Sequence, residues 1–279
     1  MIEITGLEKQ YDEVQILKNI NLTIKKGEIF GLIGLSGAGK STLLRCINGL
    51  VPYDRGSLKV NGIEVKDLLM RIIIPGLKTT VYMVMIATIC SAILGFAIAI
   101  LLYVTRKSGL HPNAGIFAFI NTIVNVIRSF PFVILMVSII PLTRFLVGTS
   151  IGENAALVPL TIASAPFMAR LFETSFESVD SEVLEAAQAC GASDIQIIFQ
   201  VIVKESLPLL MQNLTLAVIS ILGFSAMAGA VGAGGLGSVA LMYGYQNFND
   251  TIMYGTVIIL IILVQVIQFV GNKLYDRLK

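Results

Sequence analysis

After residue 78 the chain is written in long apolar runs separated by short polar stretches, and the run lengths are those of membrane crossings. Spanning a bilayer takes about 20 apolar residues. Residues 79–105 contain no charged side chain and predict a first span. Residues 114–146 are too long for one straight crossing, and Arg128-Ser129-Phe130-Pro131 interrupts them. They predict a short lead-in, a bend at the proline and a span from about Pro131. Arg128 is expected to reach the cytoplasmic interface, with a place on the substrate pathway as the alternative. A third span is expected over residues 154–172, which include Pro159 and Pro166, a fourth over 206–231 and a fifth over 251–271. Between the last two, residues 228–237 contain five glycines. Such a stretch either lines a path for substrate or lets helices pack and turn, and the residue types leave both open.

The first sixty residues have a different texture. Glu28-Ile29-Phe30-Gly31-Leu32-Ile33 is a short apolar run that predicts a buried strand, and Ser41 to Ile47 place apolar residues at helical spacing. Between them, Gly34-Leu35-Ser36-Gly37-Ala38-Gly39-Lys40-Ser41 fits the phosphate-loop pattern G-x-x-x-x-G-K-[ST]. Strand, glycine turn and helix start are what a phosphate site requires. Backbone N–H groups wrap the phosphates, the helix N-terminus adds positive potential, Lys40 reaches the β- and γ-phosphates, and Ser41 can ligate magnesium. The candidate ATP-phosphate ligands are therefore Gly34, Ser36, Gly37, Gly39, Lys40, Ser41 and Thr42, with ATP and magnesium expected as weak ligands. A plain turn joining strand to helix is the alternative.

Composition separates the two regions further. With 55% hydrophobic and 14% charged residues and a mean hydropathy of +0.83, the chain is far from a soluble domain, where about a quarter of residues are charged. A net charge of +2 gives no case for a nucleic-acid partner. Cys46, Cys90 and Cys190 are odd in number and lack metal-ligand spacing, so they are read as packing thiols. The N-terminus lacks the shape of a cleaved signal, so insertion is expected to use the internal segments. Ionisable residues are nearly missing from the spans, which argues against an ion-coupled transporter and for an outside energy source.

A contact point for that source is legible between the third and fourth spans. Residues 173–204 include Glu177, Asp180, Glu182, Glu185 and Asp194 and are polar enough to leave the bilayer. Glu185-Ala186-Ala187-Gln188-Ala189-Cys190-Gly191 predicts a helix with a small-residue face stopped by glycine, after which Ser193-Asp194 can cap a second helix.

Residues 1–65 resemble the N-terminal part of an ABC-transporter ATPase of the amino-acid and methionine importer type. The likeness rests on Ile2-Glu3-Ile4, Tyr11, Leu17-Lys18-Asn19-Ile20-Asn21-Leu22, Lys26-Gly27-Glu28, Cys46-Ile47-Asn48-Gly49-Leu50, Asp54-Arg55-Gly56-Ser57 and Asn61-Gly62. It implies that Tyr11 stacks on adenine, ordinary packing being the alternative. The resemblance stops there. No Leu-Ser-Gly-Gly-Gln signature follows, no apolar strand ends in Asp-Glu, and the single histidine, His111, lies between two hydrophobic segments. Phosphoryl transfer needs several positioned parts at once, so the chain alone is expected not to hydrolyse ATP. Residues 185–191 resemble the cytoplasmic coupling motif of ABC importer permeases, which implies that Glu185, Ala186, Ala187 and Gly191 dock on an ABC ATPase subunit. The family motif continues to a Leu-Pro where this chain has Val203-Lys204, and Leu207-Pro208 follows four residues later. Residues 68–279 resemble the methionine importer permease through Arg128-Ser129-Phe130-Pro131-Phe132, Ile140-Pro141-Leu142-Thr143-Arg144, Ser164-Ala165-Pro166-Phe167 and Tyr243-Gly244-Tyr245-Gln246. That likeness implies a permease homodimer in the bacterial cytoplasmic membrane, bound to two ATPases and fed by a methionine-binding protein. Methionine specificity rests on the resemblance, and other amino acids stay open.

The expected architecture is a mainly all-α polytopic membrane protein of the type I ABC permease class, with about five transmembrane helices, preceded by a truncated α/β phosphate-loop fragment. The boundary is placed between 1–66 and 67–279. The fragment is expected to hold four strands and one helix, to be marginal at its size, and to expose sheet edges. The function read is a permease subunit with a vestigial nucleotide-binding segment. Two rivals are a membrane-tethered nucleotide-binding regulator and a non-functional deletion or fusion product. Charge placement adds a conflict. Arg106, Lys107, Arg170, Lys204, Lys273, Arg277 and Lys279 fall on the inner side if residues 185–191 do, and the outer loops hold only Arg144. The same count places Lys59, Lys66, Arg71 and Lys78 outside, although they follow a cytosolic type of sequence.

Overall fold

The N-terminal segment pairs with itself. In the computed structural model, which describes residues 1–11, 14–49, 51–246 and 248–279, with the side chains of 63, 66–71 and 251 excepted, β1 (Ile2–Tyr11) and β2 (Val14–Ile24) form an antiparallel hairpin. Lys66 and Arg71 thus lie outside the described side chains. After α1 (Lys40–Ile47), β3 (Arg55–Val60) returns to the free edge of β1 and β4 (Ile63–Glu64) follows it, giving the order β2-β1-β3-β4. Ile4 stands opposite Leu22 on one side and Leu58 on the other. Leu7, Leu17 and Leu58 from the sheet bury against Leu43 and Cys46 of α1, with Tyr53 closing the cluster. This small core belongs to a compact unit formed by residues 1–78 and 235–259.

The expected buried strand at residues 28–33 is absent. Those residues carry no regular structure, and Ile29 and Ile33 are 100% and 97% exposed. A strand buried on both faces needs a hydrogen-bonded neighbour on each side. The described sheet is antiparallel and built from β1 to β4 alone, and the run pairs with neither of its edge strands. Four strands and one helix do form, but this segment is not among them.

From residue 65 the chain is helical: α2 (Val65–Thr105), α3 (Ala114–Ser129), α4 (Phe132–Ser138), α5 (Ile140–Val147), α6 (Glu153–Glu177) and α7 (Ser181–Ala189). Next come α8 (Asp194–Gln196), a π-helical turn (Ile197–Ile202) and α9 (Val203–Glu205), which run on as one helical segment. Then follow α10 (Leu207–Ala230), α11 (Gly235–Ser238), a second π-helical turn (Val239–Tyr245) and α12 (Asp250–Leu278). Four described helices are long and apolar enough to cross a membrane: Ile72–Thr105, Glu153–Glu177, Leu207–Ala230 and Ile252–Leu278. The pair α3 and α4 meets the same test jointly, bent by 105°, and makes a fifth if it is one broken span.

The span expected from Pro131 to residue 146 is therefore broken, and the prolines explain it. Phe130 is extended at φ −75° and ψ 131°, as a residue before proline prefers, and Pro131 caps α4. Pro141 lacks the N–H that would continue α4, so α5 starts as a separate helix with proline in its first turn.

The second compact unit comprises residues 79–234 and 260–279. Its centre is α6, which packs against α3, α4, α5 and α10. Phe96 meets Phe172 and Phe176 edge-on at 6.1 and 5.7 Å. Asn213 of α10 donates its amide to the Leu171 carbonyl (2.9 Å) and to Ser175 Oγ (2.8 Å), satisfying a polar group that would otherwise be costly in an apolar bundle. Arg106 bonds Glu177 at 2.8 Å and His111 bonds Asp194 at 2.7 Å, which holds the 106–113 loop against the end of α6 and the start of α8.

Candidate functional site

The phosphate loop has the shape its glycines allow. Gly39 sits at φ +81° as the N-cap of α1, a conformation costly for any side chain, and a β-carbon there would press on Ile16 and Leu17 of β2. The helix starts at Lys40, one residue earlier than its apolar spacing suggested. No side chain caps it, so its first amides point out of the helix end, as an anion site requires. Lys40 Nζ donates to the carbonyls of Gly34 (2.6 Å) and Leu35 (2.5 Å) and so braces the loop on itself. Gly34, Ser36, Gly37 and Ser41 are exposed, whereas Thr42 is half-buried.

These groups fit a phosphate better than they fit its metal. For a metal the loop offers hydroxyls alone, Ser41 among them, and no cluster of three or more His, Cys, Asp or Glu suited to a metal exists among the described residues. Tyr11 closes β1 opposite Val14, half-exposed, with the Lys9 ammonium 5.1 Å from its ring centre. Behind the loop, burial pushes the Cys46 thiol up to about 11, with Lys9 opposing the shift and Asp54 adding to it.

The predicted coupling helix is α7. Asp180 caps it, its carboxylate accepting from the Glu182 amide at 3.0 Å. At the other end Ala192 N–H reaches the Ala187 carbonyl (3.1 Å) and Gly191 N–H reaches Gln188 (2.9 Å), with Gly191 at φ +80°. That pair of bonds is a Schellman stop, which needs a residue tolerant of the left-handed region at the position of Gly191. A β-carbon at Gly191 would meet nothing within 4 Å, so the site is open on its outer side. Leu184 and Ala187 pack inward against the bundle core, while Glu185, Ala186 and Gly191 are exposed. The four predicted coupling residues thus gather at one helix end, with Ala187 partly committed to holding the helix in place.

Ser193 then caps the following helix through a capping box, its amide donating to Gln196 Oε1 at 2.9 Å. Asp194 is not part of that cap. Its carboxylate takes the His111 contact instead, a role the sequence reading did not assign to the single histidine. Its placement in the polar linker after the first span was the available signal.

Glu173 departs from expectation as well. It was counted in the polar segment leaving the bilayer, but α6 continues to Glu177 and leaves Glu173 only 6% exposed. Arg170, one turn earlier, bonds it at 2.6 Å and also donates to Asn121 and Asn125 of α3. A buried carboxylate needs such a partner. Arg128, in the last turn of α3, is exposed. The glycine-rich stretch ends α10: Val231 and Ala233 N–H groups both return to the Ala228 carbonyl, and Gly232 accepts from the Gly152 amide at 3.0 Å.

The family model described as binding-protein-dependent transport system inner membrane component matches residues 107–279, and the ABC transporter model matches residues 17–87. The probable D-methionine transport system permease protein MetI of Vibrio cholerae is 46% identical over 198 residues, covering 71% of this chain and 88% of its own. The methionine import system permease protein MetP of Bacillus subtilis is 43% identical over 172 residues, covering 62% and 78%. Among solved structures, an inward-facing form of the MetNI methionine ABC transporter superposes with a TM-score of 0.75 at 40% identity, over 76% of this chain and 99% of that one. An amino acid ABC transporter crystallised with histidines shares the fold, with a TM-score of 0.63 at 19% identity, over 75% of this chain and 94% of that one.

Proposed function

This chain belongs to the family of binding-protein-dependent transport system inner membrane components, and from that membership we propose that it is the permease subunit of an ATP-driven methionine importer. Two copies form the pathway in the bacterial cytoplasmic membrane, two ABC ATPase subunits drive it, and a methionine-binding protein delivers substrate. The observation that carries the proposal is α7, a short, capped, solvent-exposed helix between two membrane-length helices. Glu185, Ala186, Ala187 and Gly191 form the surface on which the ATPase pushes. Small side chains allow close approach there, and the glycine stop fixes the direction in which the next helix leaves.

Residues 1–66 are a vestigial nucleotide-binding segment, and 67–279 the permease. Gly34, Ser36, Gly37, Gly39, Lys40, Ser41 and Thr42 hold ATP phosphates weakly, Ser41 offers a hydroxyl to magnesium, and Tyr11 stacks on adenine. Weakness follows from two facts. The segment expected to carry the loop as a strand is irregular and stands outside the described sheet, and the carboxylates that position metal and water are missing from the sequence. Bound nucleotide supplies no turnover in this chain, and energy comes from the separate ATPase.

The test is uptake of labelled methionine by cells that lack their own methionine permease but keep its ATPase and binding protein. The full chain should restore uptake. Correct membrane insertion without any uptake sinks the proposal.

A further inference from the structure

A cavity of about 210 Å³ lies where the α4–α5 break, the start of α6 and the end of α10 converge. Met136, Ile140, Ala155, Pro159 and Val231 give it an apolar wall, and Thr143 is its buried polar group. Thr143 is 3% exposed, and among the described residues its Oγ1 has no hydrogen-bond partner. Most buried hydroxyls are bonded, and one left unpaired against an apolar wall is unfavourable. The unpaired hydroxyl is therefore a feature that a bound polar atom would relieve.

The rim has a different chemistry. Ser150 lines the cavity, and its Oγ accepts from the Arg144 guanidinium at 3.4 Å. Arg144 is exposed and is the lone basic residue of the expected outer loops. Gly152, also on the rim, is followed in the chain by Glu153, an exposed carboxylate. One cation and one anion thus stand on the two segments that carry the rim of an apolar hole. That is the pattern of a zwitterion with an apolar tail. The volume is below the ~300–1,000 Å³ of pockets for drug-sized ligands, so it suits a solute of amino-acid size.

We propose that this cavity is a permease subsite for an apolar α-amino acid such as methionine. The side chain enters the wall of Met136, Ile140, Ala155 and Pro159. The head group stays at the rim, its carboxylate towards Arg144, and the Thr143 hydroxyl takes one of its polar atoms. Because the site lies near the N-terminus of α6, at the end away from α7, substrate would rest there on the side opposite the ATPase. The choice of ligand rests on the import reading above, whereas the cavity and its unpaired hydroxyl do not.

Equilibrium binding of labelled L-methionine to the full chain in lipid nanodiscs tests the proposal, with uptake in the complemented cells measured in parallel. Binding should be saturable. Thr143→Val, nearly isosteric, should weaken it by about fivefold, the worth of one hydrogen bond. Ala155→Phe should abolish it by filling the wall. Methioninol, which lacks the carboxylate, should compete at least about tenfold less well than methionine, as expected for a lost charged contact. Absence of saturable binding, or an affinity unchanged by Thr143→Val and by Ala155→Phe, overturns the subsite even where uptake is normal. Saturable binding that responds to Thr143→Val, in a chain that restores no uptake, supports the subsite and sinks the import reading instead. Should Ala155→Phe fail to fold, Thr143→Val and methioninol competition decide by themselves.

Discussion

Residues 28–33 and helix α6 make an instructive pair. Both are apolar, one read as a buried strand and the other as a membrane span, yet Ile29 and Ile33 stand in solvent while α6 is the hub of a bundle. A helix closes its hydrogen bonds within its own segment, so it forms wherever its stretch of chain is present. A strand closes them through neighbours and fails when those neighbours are missing. Truncation in a sheet protein therefore removes the neighbours that its remaining segments need, while membrane-length helices form without them. The same asymmetry separates the two candidate sites: α7 keeps both caps, whereas the phosphate loop keeps its glycines and loses its strand.

The largest effect expected from this contrast is an absence. Purified full chain should release no phosphate from ATP above the level of a Lys40→Ala variant. Lys40-dependent turnover without another ATPase would show that the loop works without the strand, and the comparison would break.

Coupling should be the most sensitive point in the helical region. Gly191→Leu forces a side chain into the left-handed region, at a cost of about 1–2 kcal/mol, and adds bulk on the open face of α7. Methionine uptake with a supplied ATPase should fall by about tenfold or more, while the amount inserted in the membrane stays the same. Unchanged uptake would remove α7 from the coupling role.

The reverse experiment cuts the fragment's core. Leu58 is fully buried in the sheet, and Leu58→Ala should cost about 2–5 kcal/mol, enough to unfold a unit this small. Limited proteolysis should then cleave within residues 1–64, and uptake should remain within about twofold of the unmodified chain. A parallel collapse of uptake would mean that transport depends on the fragment.

Thiol chemistry gives the finest distinction. The Cys46 thiol is raised from 9.0 to about 11 by burial, so the folded fragment disfavours its thiolate. Its contribution to stability is full below about pH 9 and is lost as the pH climbs through the folded value, because the unfolded chain releases that proton first. Cys190, in contrast, is exposed beside the glycine stop. At neutral pH maleimide should modify the exposed Cys190 and spare Cys46, which is fully buried as well as protonated. Equal labelling at pH 7 would show that the fragment's core is open.

Sequence alone determined most of the helical half. Charge-free runs of membrane length mark the spans, because a bilayer accepts little else, and the glycine stop of α7 was legible since Gly191 acts within a few residues of its own backbone, whereas the Asp180 cap at the other end was not read. The phosphate loop was legible for the same local reason. What only the tertiary structure decided involves partners distant in the chain. It placed Arg170 on Glu173 and on the asparagines of α3, set His111 against Asp194, and left Thr143 facing a cavity built from three separate stretches. It also denied residues 28–33 a sheet. Periodicity and capping report on bonds a segment makes with itself, whereas ion pairs, cavities and strand pairing depend on which remote segment arrives alongside, and no local pattern encodes that arrival.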